Sequence, residues 1–124
     1  MKFFINRTTK EIIEVVLGND TAFTSEGSEM VELKANSTDA AGEKHVPVIT
    51  VDGNKVHVVV GSVLHPMTEE HSIQFIALET KQGVQRKALV PTEQPIADFV
   101  LAEGDEVVAA YEYCNLHGLW KVEA

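Results

Sequence analysis

The sequence contains a single cysteine, Cys114, and this scarcity limits how the chain can be held together. One thiol cannot form a disulfide within the chain, which fits a reducing compartment. The thiol can instead be an inert core side chain, a nucleophile or a metal ligand. Which of these applies depends on the neighbours that the fold brings to Cys114.

Long hydrophobic segments are also missing. The longest apolar runs, such as VHVVVGSVLH at positions 56–65, are far shorter than the roughly 20 residues of a membrane-spanning helix. The opening segment MKFFINRTTK holds a short apolar run before Asn6 and Arg7, whereas a secretory signal needs an apolar run of about 7–15 residues. We therefore expect a cytoplasmic protein without a membrane segment.

Basic residues are scarce. Ten lysines and arginines stand against nineteen aspartates and glutamates, which gives a formal charge of −9. A surface of this charge repels a phosphate backbone, so nucleic acid is not an expected partner. If the ligand of the protein is itself an anion, the fold must build a local positive charge against this field.

Most of what the sequence does contain is typical of β-structure. From His45 onward, β-branched runs alternate with turn signals at the spacing of an antiparallel sandwich. The segment DGN, at positions 52–54, predicts a tight hairpin between two such runs. The pattern predicts an all-β protein with a seven-stranded, immunoglobulin-like β-sandwich. The predicted strands are VPVITV, KVHVVVG, HSIQFIALET, GVQRKALV, IADFVLA, EVVAAYEYC and LWKVEA.

The first forty residues have a weaker pattern. The segment EIIEVVL, at positions 11–17, is interpreted as a strand because of its β-branched residues. We expect a small amino-terminal β-rich segment over residues 1–37 and the sandwich domain over residues 38–124.

Histidines are the residues most able to carry chemistry in this chain. His65 and His71 frame the segment HPMTEEH, where Pro66 favours an extended loop, and we place His71 at the start of the next strand. A loop anchored by strands can aim both rings at one ion, and two surface histidines are the alternative. His57 lies within the predicted strand KVHVVVG, where a hydrogen-bonded or solvent-facing side chain is expected.

Cys114 and His117 form a Cys-x-x-His turn, in which Gly118 gives the backbone its freedom. A thiolate and an imidazole can reach one ion from such a turn. A Cys–His nucleophile pair and a buried, inert thiol are the alternatives. His45 opens the first predicted strand, after what we expect to be a flexible connection.

The density of these side chains favours a metal centre. Four histidines and one cysteine lie at the ends of predicted strands in one small domain. Four imidazoles and one thiolate suit a redox-active iron better than magnesium or calcium, which prefer oxygen ligands. Structural zinc is satisfied by four ligands and prefers more sulfur. The residues alone leave open whether all five side chains converge.

The chain resembles the superoxide reductases, the desulfoferrodoxin and neelaredoxin family, in three segments. These are TDAAGEKHVPVI, VGSVLHPMTEEHSIQFIALET and EYCNLHGLWK, which occur in the family's order and spacing and cover most of residues 38–121. The resemblance implies the same sandwich fold and one mononuclear, non-haem iron, ferrous when active and ferric at rest.

The resemblance also implies a role for each site residue. Four histidines would form the equatorial plane of a square pyramid, and Cys114 would be the axial ligand opposite the open position. Lys44 would lie near that open face, and the carboxylate of Glu43 would occupy it in the oxidised resting state. The implied equatorial ligands are His45, His65, His71 and His117.

The amino-terminal segment departs from the larger members of the family. Those members begin with a desulforedoxin-like domain whose four cysteines hold a second iron. Here Asn6, Thr9, Ser25 and Glu26 stand at or near the corresponding positions. The resemblance therefore implies that residues 1–37 are a remnant of that domain without a second iron centre.

The implied activity is that of a superoxide reductase, in which superoxide takes up one electron and two protons to give hydrogen peroxide. The resemblance implies an external, rubredoxin-like electron donor and a homodimer. Lys44 would attract superoxide and position a proton. Three alternatives are superoxide dismutation by the same iron, a redox-sensing iron protein in which Cys114 reports oxidation, and an interaction module without a metal.

Overall fold

The computed structural model describes residues 1–20 and 22–124, and their regular secondary structure is almost entirely β. They form two compact units, Met1–Lys34 and Ala35–Ala124. The single helix of the described residues is the short turn Gly42–His45, named α1. None of this helical structure is long and apolar enough to cross a bilayer. The prediction of an all-β protein is confirmed.

The first unit contains five short strands in two antiparallel arrangements. They are β1 (Phe3–Ile5), β2 (Ile12–Glu14), β3 (Thr24–Ser25), β4 (Ser28–Glu29) and β5 (Val31–Leu33). β1 is the middle strand between β2 and β5, and β3 pairs with β4. All three residues of β1 are buried, so this strand supplies much of the unit's apolar core.

The second unit is a sandwich of seven strands in two antiparallel sheets. The strands are β6 (Pro47–Asp52), β7 (Lys55–Val60), β8 (Ile73–Thr80), β9 (Gly83–Ala88), β10 (Ile96–Val100), β11 (Val107–Cys114) and β12 (Gly118–Glu123). One sheet has the order β10-β7-β6, and the other has the order β12-β11-β8-β9. All seven predicted strands are present, and β6 and β7 form the predicted hairpin.

The alternation of side chains along the strands builds the core of the sandwich. Val56, Val58 and Val60 of β7 are buried, whereas the intervening His57 is exposed. Ile76 and Leu78 of β8 belong to the same buried cluster and come from the other sheet. Burying each such side chain contributes roughly 1.5–3 kcal/mol, so the strand ends that carry the loops are held firmly.

The position predicted for His45 is wrong in its local structure. The first strand of the sandwich begins at Pro47, and His45 is the last residue of α1. The backbone forms this turn because the N–H of Val46 donates to the carbonyl of Gly42 at 2.9 Å. His45 is therefore buried at a helical turn and does not follow a flexible connection.

The position predicted for His71 differs in the same way. β8 begins at Ile73, and His71 lies in the preceding loop. Thr68 closes this loop, because its backbone N–H donates to the His71 carbonyl at 2.9 Å and its hydroxyl accepts from the His71 N–H at 3.1 Å. The backbone groups of His71 therefore bond within the loop and not to a neighbouring strand.

Candidate metal centre

Four imidazoles and one thiol come together from distant parts of the second unit. One donor atom of each of His45, His65, His71 and Cys114 lies within 4.8 Å of those of the other three. Nδ1 of His117 lies 3.1 Å from Nε2 of His45 and 3.9 Å from Sγ of Cys114. These five residues are called the His4Cys cluster below.

The protonation of two rings in the His4Cys cluster is fixed by backbone carbonyls. Nδ1 of His45 lies 2.8 Å from the carbonyl oxygen of Ala41, and Nδ1 of His65 lies 2.6 Å from that of Pro66. Both Nδ1 atoms therefore carry the proton, which leaves a lone pair on each Nε2. The two Nε2 atoms are 3.3 Å apart, and a cation between the rings would relieve the repulsion of their lone pairs.

The ring of His71 provides a second sign that the site fits a metal ion. Its Nε2 atom is buried and has no hydrogen-bond partner among the described residues. A buried polar atom without a partner costs about 1–3 kcal/mol. A metal ion bound within the cluster would satisfy this atom, as it would the Nε2 atoms of His45 and His65.

Burial keeps these imidazoles in the neutral form that binds metals. It lowers the pKa of His65 to about 4, opposed by the hydrogen bond to the Pro66 carbonyl. Burial also lowers the pKa of His45 and of His71, and neighbouring histidines lower both further. His45, His65 and His71 therefore offer ring lone pairs, and not positive charges, at neutral pH.

Cys114 lies at the end of β11, where a three-residue loop at 115–117 leads into β12. Gly118 follows this loop with a φ of +80°, a conformation that glycine adopts without strain. The register of β11 against β8 shifts at Cys114, and such an irregularity re-aims a side chain. Burial raises the pKa of the thiol, while hydrogen bonds from the backbone of Leu116 and His117 lower it. Those two bonds favour the thiolate that a metal requires.

Asn115 joins the loop of His71 to the Cys-x-x-His turn. Its Oδ1 atom accepts from the N–H of Ser72 at 3.0 Å, and its Nδ2 atom donates to the carbonyl of Glu70 at 3.0 Å. Its backbone N–H donates to the carbonyl of Ser72 at 3.3 Å. Two ligand-bearing segments are thus held together by one amide side chain and its own backbone.

Glu43 and Lys44 are exposed residues of α1. The positive charge of Lys44 contributes to lowering the pKa of both His45 and His71, although burial is the larger cause. Lys44 directly precedes His45 on α1, so its side chain starts beside a residue of the cluster. The negative charge of Glu43 acts on His45 in the opposite direction.

The fifth histidine lies outside the cluster. Nδ1 of His57 is 2.6 Å from a carboxylate oxygen of Asp98, its cross-strand neighbour on β10, and both side chains are exposed.

Trp120 is a buried residue that packs against the cluster. Its indole N–H donates to the carbonyl of His117 at 3.1 Å, and its ring centroid lies 5.0 Å from that of His45.

Glu112 is a buried residue near the site that sequence reasoning missed. It lies on the same face of β11 as Ala110 and Cys114, which are two residues before and two residues after it. Neither of its carboxyl oxygens has a hydrogen-bond partner among the described residues. Burial raises its pKa to about 9, so it is neutral at pH 7 and adds no negative charge beside the thiolate. The two-residue spacing from Cys114 was the signal available in the sequence.

Known proteins resemble this chain along most of its length. Residues 37–123 match the desulfoferrodoxin family model. A desulfoferrodoxin of Clostridium acetobutylicum is 40% identical over 99% of this chain and 96% of its own length. A superoxide reductase of Pyrococcus horikoshii is 37% identical over 76% of this chain and 96% of its own length. The crystal structure of the superoxide reductase from Treponema pallidum matches with a TM-score of 0.86 and 37% identity, covering 98% of both chains.

Proposed function

Because the chain belongs to the desulfoferrodoxin family, we propose that its His4Cys cluster holds the mononuclear iron that this family uses. The protein is an oxidoreductase that acts on superoxide. It reduces superoxide in a one-electron reaction, in which the substrate takes up one electron and two protons to give hydrogen peroxide. The convergence of four imidazoles and one sulfur is the observation that carries this conclusion.

The proposed ligands of the iron are ring nitrogens of the four histidines and the sulfur of Cys114, which would bind the metal as the thiolate and release its proton. When bound, the iron supplies a single electron and a coordination position for a small anion. The carbonyls of Ala41 and Pro66 hold the rings of His45 and His65 in orientation. Hydrogen bonds from the backbone of Leu116 and His117 hold the sulfur of Cys114 in the same way.

Lys44 is the proposed electrostatic guide for the substrate. Superoxide is an anion and the chain carries a formal charge of −9, so an exposed ammonium beside the cluster raises the local concentration of substrate. The same ammonium, or a water that it orients, holds a proton where the product oxygen develops charge. The Glu43 carboxylate, adjacent on α1, is the proposed additional ligand of the ferric resting form.

The remaining partners are also proposals. An external redox protein of the rubredoxin kind is the proposed electron donor, because the second unit has one cluster of metal-binding side chains among the described residues. A homodimer in a reducing cytoplasm is proposed from the resemblance and from the single cysteine. Sedimentation of the purified protein tests the dimer.

The first unit is proposed to be a desulforedoxin-like remnant without a metal. Asn6 is buried, and its side chain donates to the carbonyl of Ser25 at 3.1 Å and accepts from the N–H groups of Thr8 and Thr9. The hydroxyl of Ser25 donates to the carboxylate of Glu11 at 3.0 Å. These bonds join chain segments that cysteines would join through a metal in the larger family members.

The reaction is tested by its stoichiometry. Superoxide is supplied to the iron-loaded protein together with a reduced donor, while donor oxidation and oxygen release are recorded. A reductase consumes one electron per superoxide and releases no oxygen. Oxygen release without donor consumption would instead identify a dismutase, which is the competing function for the same iron.

A further inference from the structure

The backbone that carries Glu43, Lys44 and His45 packs directly against Gly61. A Cβ atom at residue 61 would lie 2.7 Å from the carbonyl oxygen of Glu43, 2.9 Å from that of Val46 and 3.1 Å from the carbonyl carbon of Lys44. All three neighbours are backbone atoms, so no side chain can rotate away to make room.

The two residues after Gly61 hold the same carbonyl. The N–H of Val63 donates to the carbonyl oxygen of Glu43 at 2.9 Å, and the hydroxyl of Ser62 reaches it at 3.3 Å. Residues 61–63, called the 61–63 turn below, therefore fix the position of the peptide unit between Glu43 and Lys44. The turn follows β7 and leads to His65, so it also ties α1 to another ligand-bearing segment.

We propose that Gly61 is a positioning residue, which sets where the Lys44 ammonium and the Glu43 carboxylate stand relative to the His4Cys cluster. The inference rests on the proposed roles of those two side chains. Gly61 has no side chain that could bind substrate or iron, and it acts by letting the 61–63 turn approach α1 more closely than any residue with a Cβ atom permits. The close contact then defines the start of the Lys44 side chain, whose long stem is otherwise free to rotate.

The test is Gly61→Ala in the full, iron-loaded chain, with Gly42→Ala as the matched control. A Cβ atom at Gly42, on the same short helix, meets nothing within 4 Å apart from its chain neighbours. We expect Gly61→Ala to slow the second-order reaction with superoxide at low ionic strength by about 3- to 10-fold, which is no more than the loss expected when the Lys44 ammonium is removed. The salt dependence of the rate should flatten, and Gly42→Ala should change neither quantity.

Two further readouts separate positioning from general damage. The amide of Val63 should lose protection from hydrogen exchange in Gly61→Ala, because its bond to Glu43 is displaced. In a Lys44→Ala background, Gly61→Ala should have little further effect on the rate, since the group that it positions is already gone. If Lys44→Ala slows the reaction and Gly61→Ala multiplies that loss fully, Gly61 does not act through Lys44 and the inference is wrong.

Two more outcomes are decisive. If Lys44→Ala has no effect at all, the proposed role of Lys44 fails, and the inference fails with it. If Gly61→Ala does not fold, Ser62→Ala removes one donor to the Glu43 carbonyl without adding an atom. Ser62→Ala should cause a smaller loss of the same kind, again absent in the Lys44→Ala background. An unchanged rate and salt dependence in Ser62→Ala would then overturn the inference.

Discussion

At the residue scale, the positive charge of Lys44 is the basis of the proposed attraction of superoxide to this acidic protein. It is exposed on α1, and its charge contributes to the lowered pKa of both His45 and His71. In a chain with a formal charge of −9, a superoxide anion that approaches the cluster gains from this local positive charge. The proposed role of Lys44 therefore concerns the encounter rate, and the proposed role of the ligands concerns the electron transfer.

Replacing Lys44 by alanine should slow the reaction with superoxide. At low ionic strength we expect the second-order rate constant to fall by about tenfold or more, within the range of electrostatic steering. The salt dependence should flatten because the guiding charge has been removed. Rapid mixing or pulse radiolysis over a series of salt concentrations measures both effects.

Lys55→Ala is the matched control for this charge change. Lys55 is exposed at the start of β7, whereas the 61–63 turn and His65 follow the other end of that strand. The substitution Lys55→Ala removes the same charge, but at the opposite end of β7, about 15–20 Å along the strand from the 61–63 turn. Equal effects of the two substitutions would show that net charge, and not the position of Lys44, governs the reaction.

At the residue scale, some of the site could be predicted from the sequence. The spacing of Cys114 and His117 and the segment from His65 to His71 each allowed a pair of ligands, but surface histidines, a nucleophile pair and an inert thiol were open alternatives. The convergence with His45 came from the resemblance. The neutral state of Glu112 depends on its burial in the folded protein, which the spacing from Cys114 does not by itself reveal.

At the scale of elements, the site depends on how loops are attached to one another. Asn115 belongs to the loop between β11 and β12, and its side chain bonds to the backbone on both sides of His71, at Glu70 and Ser72. The sandwich fixes the strand ends, but this amide fixes the distance between two ligand-bearing loops. Its role resembles that of outer-shell partners in other metal sites.

Asn115→Ala should therefore weaken iron binding while leaving the sandwich folded. We expect the affinity for iron to fall by about 10- to 100-fold, the usual effect of losing an outer-shell partner. Competition with a chelator, followed by iron analysis, measures the change. Asn54→Ala, in the exposed β6–β7 hairpin, removes the same kind of side chain far from the loops and should leave the affinity unchanged. If the Asn115→Ala protein binds iron as tightly as the parent protein, the Asn115 side chain does not set the distance between the two loops.

A second loop attachment, remote from the cluster, is sensitive to pH. The carboxylate of Asp105 accepts from the hydroxyl of Thr80 at 2.6 Å and from the N–H of Gln82 at 3.1 Å. The bond from Thr80 is the main cause that lowers the pKa of Asp105 below its ordinary value of 3.8. A carboxyl whose pKa is lowered on folding stabilises the protein above its unfolded pKa, and that contribution disappears as pH falls through the folded pKa.

Asp105→Asn should lower the melting temperature at pH 7, because the amide keeps an acceptor but loses the charge. The difference from the parent protein should shrink as pH falls below 3.8 and vanish once Asp105 is protonated. Thermal unfolding between pH 7 and pH 3 follows this change. Glu103→Gln removes a negative charge from the same turn and is the control. A difference that is constant with pH would exclude the charged hydrogen bonds as its cause.

The elements themselves were largely predictable. The β-branched runs and the DGN turn predicted β6 and β7, and the observed register buries Val56, Val58 and Val60 together. The turn α1 was not predicted, because a single turn closed by the bond from Val46 to Gly42 is too short to give a helical pattern, and long-range bonds from the 61–63 turn to Glu43 hold it in place. Local patterns specify strands, whereas long-range contacts specify the loops that carry the chemistry.

At the scale of the whole molecule, the two compact units differ in the side chains that they contain. The second unit holds the His4Cys cluster, and the first unit holds buried apolar strands and the hydrogen bonds of Asn6. The proposal of one iron per chain places it in the second unit. The proposed external donor protein would then supply the electron for each turnover.

The identity of the metal centre is tested most directly by a visible spectrum of the purified protein, before and after mild oxidation, with iron measured on the same sample. We predict one iron per chain and a visible band that appears on oxidation, because a thiolate bound to ferric iron absorbs in that range. Cys114→Ser should lack the band and superoxide reductase turnover, whereas His57→Ala, which changes an exposed histidine outside the cluster, should keep both. A colourless oxidised protein, or the same band in Cys114→Ser, would contradict a thiolate-bound iron.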